Sequence, residues 1–128
     1  MSTKSFIGLE ATDGTVTYIY CHWDGGLAHN GRMLQDNYTT VEQVEALLAE
    51  GDASALGRTV ADSVFYTRDK GEDHGENLAS IDPSRDEFGQ DLGDSKFAYL
   101  FNIAMNSWTV KIPNSNVWVG LRRALEAM

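Results

Sequence analysis

The chain has 128 residues, a net charge of −9 and a pI near 4.6. That size and the ordinary apolar fraction of 42% fit one globular domain, 1–128, able to bury a real core. The charge argues against gripping nucleic acid through its phosphates, which needs Lys and Arg. It suits a protein partner with a basic surface. The single cysteine excludes an intramolecular disulfide and cysteine-built zinc sites. The opening "MSTKSFIGLE" lacks the apolar core of a signal peptide, and no apolar run is long enough to span a bilayer. The expectation is a soluble, cytoplasmic protein with no membrane contact.

Two β-rich runs, Ser5–Ala11 and Val16–Trp23, flank Asp13-Gly14, a dipeptide suited to a two-residue type I′ turn. That turn would place Ala11 opposite Val16, Leu9 opposite Tyr18 and Ile7 opposite Tyr20. Next comes a short helix over 31–38, using Met33 and Leu34. A clearer helix follows, with Val41, Val44, Leu47 and Leu48 at helical spacing. Thr39 and Glu42 have capping-box spacing at its start, and Gly51 is its stop. Residues from Ala53 read as one more helical turn, and Val64 to Thr67 as a short strand.

The stretch 69–94 has nine acidic and two basic residues, −7 of the net −9, with glycines and Pro83 interspersed. It reads as a mobile or only partly ordered loop. Its length points to a functional loop. Phe97–Ile103 and Trp108–Ile112 form a second hairpin. "NSNVWVGLRRALEAM" reads as a terminal helix with Trp118, Leu121 and Leu125 on one face. The expected fold is α+β: an antiparallel sheet of about four strands in two hairpins, with two or three helices packed on one face.

The densest chemistry lies in "YIYCHWDGG", residues 18–26. Neighbours on a strand point to opposite faces, so Cys21 and His22 cannot form a thiolate–imidazolium dyad. Cys21 reads as a small core residue. His22 and Asp24, two apart, could share a face, the carboxylate orienting the ring. Against this, Asp24 can accept backbone amides in the turn that it opens, and no activated serine or oxyanion loop stands nearby. Trp23 is expected to pack into the core. His22, Asp24 and His29 offer N, O and N ligands, but at no recognised metal spacing, so no metal or cofactor is expected.

A resemblance adds to this reading. "YIYCHWDGG" and the following "HNGRMLQDNYTTVEQVEALLAEGDASAL" resemble a group of small phage and prophage proteins with a tyrosine-rich strand ending in His-Trp-Asp-Gly. In those proteins a short "G…LL…Y" helix and a "V..L...GD.S.L" segment come next. The matching positions are Tyr20, His22, Trp23, Asp24, Gly25, Gly31, Leu34, Tyr38, Val44, Leu47, Gly51, Asp52, Ser54 and Leu56. The likeness covers residues 1–57, and Gly26-Leu27 departs from the Tyr-Pro of many relatives. It implies a phage accessory protein working in the host cell cytoplasm. The leading expectation is a non-catalytic inhibitor of a host defence complex, of anti-CRISPR type. The carboxylates Asp69, Glu72, Asp73, Glu76, Asp86, Glu87 and Asp91 would mimic nucleic-acid phosphates on a basic partner. Two alternatives stand beside it: a non-catalytic phage structural or assembly accessory, and a small enzyme or ligand-binding module using His22 and Asp24.

Overall fold

The computed structural model describes residues 3–91 and 96–128; the side chain of Asp91 and the acidic stretch's residues 92–94 lie outside the described residues. The first hairpin pairs β1 (Ser5–Glu10) with β2 (Val16–Cys21) in antiparallel register. Its turn is not type I′. Among the described non-glycine residues only Asp24, Asn106 and Asn114 have positive φ, so Asp13 does not, whereas Gly14 sits at φ 93°. Ala11 N–H donates to the Thr15 carbonyl at 2.9 Å, and Gly14 N–H to the Ala11 carbonyl at 2.9 Å. This is a three-residue loop closed by a left-handed glycine. The Asp13 carboxylate accepts both the Thr15 amide and hydroxyl, at 3.0 and 2.7 Å.

The extra loop residue slips the register by one. Glu10, rather than Ala11, faces Val16, and Ile7 faces Ile19 instead of Tyr20. Because side chains alternate, this slip decides which residues share a face. Ile7, Leu9, Ile19 and Cys21 fall on one side; Phe6, Tyr18 and Tyr20 fall on the other.

The four-stranded antiparallel sheet is overturned. The structure is α+β, but among the described residues its sheet is mixed and eight-stranded, ordered β4-β3-β2-β1-β6-β7-β8 with β5 also on β2. β6 (Phe97–Asn102) lies parallel to β1, Ser5 opposite Phe97, and forms the second hairpin with β7 (Ser107–Lys111). The residues from Ala53 are not helical. They form β3 (Ala53–Ala55), parallel to β2 at Cys21, where the small, buried Ala53 and Ser54 allow close approach. β4 (Val64–Phe65) pairs with β3.

Among the described residues there are five α-helices, on both sides of the sheet rather than one. A π-helical turn (Leu27–Gly31) runs into α1 (Arg32–Asn37). α2 (Val41–Ala49) is capped one residue later than expected. Thr40 Oγ1 accepts the Gln43 amide, and Gln43 Oε1 accepts the Thr40 amide. These elements pack with α5 (Leu121–Glu126) on the Ile7–Ile19 side. The terminal helix is therefore shorter than expected. Trp118 lies outside it, ahead of β8 (Val119–Gly120), and joins the opposite side of the sheet.

The described part of the acidic stretch is built rather than looped. It holds α3 (His74–Asn77), β5 (Ser80–Asp82) and α4 (Arg85–Asp91). What orders it is Phe88, fully buried against Val16, Ala98 and Leu100. Arg85 adds an ion pair to Glu10, whose carboxylate also accepts from Asn102. α4 thereby covers one end of the second sheet face.

Candidate functional site

The loop after β2 holds its backbone inward and its side chains outward. His22 and Trp23 amides donate to the Ala53 and Ser54 carbonyls at 3.1 and 3.0 Å. Asn30, fully buried, donates its side-chain amide to the Trp23 carbonyl at 3.3 Å and to Ser5 Oγ at 3.2 Å. Its backbone amide donates to the Asp24 carbonyl at 3.1 Å, and the buried Tyr99 hydroxyl to the Gly25 carbonyl at 2.7 Å. Gly25 N–H donates to the Thr3 carbonyl, and a Cβ there would lie 2.8 Å from the backbone of Thr3 and Lys4. Asp24 adopts φ 55°, a conformation that non-glycine residues rarely occupy and that the surroundings must impose.

Trp23 is therefore not a core residue: it is 46% exposed. Asp24 is exposed as well, and its turn is tied down through its carbonyl. His22 is half-buried; its Nδ1 lies 2.7 Å from the Tyr20 hydroxyl, and Trp23 meets its ring edge-on. His29 Nδ1 lies 2.9 Å from Asn30 Oδ1, so the two histidines serve different neighbours. Among the described residues, no three metal-capable side chains cluster. Cys21 is buried under Asn30, and burial pushes its thiol up to about 11, so it is protonated and a poor nucleophile at neutral pH.

From this loop an unbroken row of rings crosses the second sheet face. In order they are Trp23, His22, Tyr20, Phe6, Tyr18, Phe88 and Trp118, with neighbouring centroids 4.7–6.0 Å apart. Phe88 is buried, but the other rings keep partial or full exposure. Beside Tyr20 the strands supply a polar corner. The Asp52 carboxylate accepts the Tyr20 amide at 2.9 Å, and the Asp52 carbonyl accepts the Tyr66 amide at 3.2 Å. Burial raises the pKa of Asp52 and is the largest cause of the raised pKa values of Tyr20 and Tyr66.

The acidic residues divide by role. Asp69 serves the fold: its carboxylate binds Arg68 at 2.9 Å and accepts the Phe65 amide at 2.8 Å. Arg68, then the Phe65 amide, hold its carboxyl below the usual range. Asp73 caps α3 through the Gly75 amide at 2.7 Å. Glu72, Glu76, Asp86 and Glu87 are exposed. Glu72 lies beside Tyr66, its amide donating to the Tyr66 carbonyl. Asp86 and Glu87 ride on α4, where they also favour the helix N-terminus. The Asp91 side chain lies outside the described residues.

The residues that sequence reasoning missed are Asn30, Tyr99 and Tyr66; Asp52 was picked out by the resemblance but given no role. Tyr20 carried a signal, being two residues before His22 on the same strand face. A cleft of about 590 Å³ beside Arg58, Asp36 and Gln43 includes none of the predicted site residues. No helix among the described residues is long and apolar enough to cross a membrane. No family model, no curated protein and no solved structure matches the chain.

Proposed function

We propose that this is a non-catalytic binding protein that recognises a basic protein surface through the aromatic row and the carboxylates around it. The observation that carries the reading is the row itself. Six partly or fully exposed rings share a sheet face with α4, which bears Asp86 and Glu87, while Glu72 lies beside Tyr66. Aromatic rings supply large contact area at low entropic cost, and carboxylates steer a cationic partner in. The resemblance to small phage proteins supports a host defence complex, such as a CRISPR effector, as the partner, met in the host cell cytoplasm. Mimicry of phosphates then falls to Glu72, Glu76, Asp86 and Glu87, since Asp69 and Asp73 serve the fold.

The test is inhibition of a purified CRISPR effector nuclease by wild type and by a variant with those four residues changed to Gln or Asn. The variant should keep wild-type stability and inhibit weakly at low salt. The gap should narrow as the Debye length falls from ~10 Å at 0.1 M to ~3 Å at 1 M. Full inhibition by the neutralised variant would refute the charge-based reading. The alternative of an enzyme using His22 and Asp24 finds less support, because His22 pairs with Tyr20 and the loop turns at Asp24.

A further inference from the structure

We propose that Tyr20, Asp52 and Tyr66 form a seat for one cationic side chain of the partner, which the chain's own Lys70 guards in the free protein. This rests on the reading above that the partner is basic. Asp52 ties the two tyrosines together by hydrogen bonds: its side chain accepts the Tyr20 amide and its carbonyl accepts the Tyr66 amide. A partly desolvated carboxylate thus stands beside the backbone of Tyr20, close enough to both phenols to act on them electrostatically. Such a carboxylate attracts a cation more strongly than one in open water, and aromatic faces attract cations as well. Glu72, held to Tyr66 through its backbone, adds a second negative charge at the rim.

The independent observation is Lys70. Its ammonium lies 5.5 Å from the centroid of the Tyr66 ring, so the corner already holds a cation from the chain itself. Lys70 is exposed and sits one residue before Gly71, in the turn between β4 and α3. An arginine or lysine from a partner would replace it on Tyr66 with the same chemistry. The row from Tyr20 to Trp23 would then contact the apolar stem and the flanking residues.

A fluorescent hexa-arginine peptide serves as probe, titrated at low ionic strength into the full chain. Lys70→Met should bind it about threefold more tightly than Arg123→Met, as a cation–π contact of this size implies. Arg123 belongs to α5 on the other side of the sheet, so the two variants lose equal charge and only one frees the seat. Tyr66→Leu should weaken binding and abolish the difference made by Lys70→Met. Equal affinity of the Lys70 and Arg123 variants, with binding lost on neutralising Glu72, Glu76, Asp86 and Glu87, overturns the seat and leaves the basic-partner reading standing. No binding of the peptide by any of these proteins overturns both.

Discussion

The two faces of the sheet are built to different standards. On one, Ile7, Ile19, Tyr99 and Val110 are sealed beneath four helical elements, with no more than 1% of their surface exposed. On the other, among the described residues, α4 and Trp118 cover the strands, and Phe6, Tyr18 and Tyr20 stay half-buried. Stability resides in the first face. The second leaves aromatic surface uncovered, and the proposed contact rests on that surface.

Truncation should separate the faces most sharply. Phe101→Ala, within the sealed face, should cost about 3–5 kcal/mol in denaturant unfolding. A loss below about 1 kcal/mol would mean the sealed face is not the stabilising one. Gly25→Ala tests the junction between the faces. Its methyl group meets backbone at 2.8 Å, so the loop must shift, at about 1–3 kcal/mol. Trp23 fluorescence should report that shift, and an unchanged spectrum with unchanged stability would contradict the tight loop. Asn30→Ala should cost a similar amount, about 1–3 kcal/mol, by leaving buried carbonyl and hydroxyl groups without their donor.

Changes on the open face should barely register in stability. Trp23→Ala should change it by less than about 1 kcal/mol while lowering affinity for a basic partner. The smallest effect concerns Asp52, and its sign runs against the usual carboxylate. Burial raises its folded pKa, so the charged form is disfavoured in the folded state. Stability from this group is fully present below the unfolded pKa and lost as pH rises through the folded one. Asp52→Asn keeps an oxygen for the Tyr20 amide and should be slightly more stable than wild type at neutral pH. That advantage should vanish below about pH 4. A gap constant across pH would contradict the desolvation of Asp52.

Local patterns in the sequence marked the two hairpins and α2, because each depends on neighbours along the chain. The Asp13-Gly14 signal located a turn but misjudged its type by one residue. That residue decided whether Ile7 met Ile19 or Tyr20. The parallel β1–β6 pair left no local trace, since it joins distant segments. Composition hid α4: the charges around Phe88 suggested a loop, while that buried ring, helped by the Arg85–Glu10 pair, docks the helix. In the site, His22 and Asp24 were recognised as residue types; the partner that the structure gives His22 is Tyr20, and the loop turns at Asp24. Trp23 breaks the rule that large aromatics go inside, held out by a loop whose Trp23, Asp24 and Gly25 carbonyls accept from Asn30 and Tyr99.

The parallel pairing of β1 with β6 also has a consequence in time. During synthesis the first hairpin can close early, but the strand that completes the other edge of β1 is not made until residues 97–102. At about 5–20 residues per second, that edge waits roughly 5–20 seconds. Throughout the wait it offers unpaired N–H and C=O groups to any other extended chain. A nascent or truncated chain ending before Phe97 would keep that edge open indefinitely and should be found in aggregates, whereas a chain that includes Phe97–Asn102 closes the edge itself.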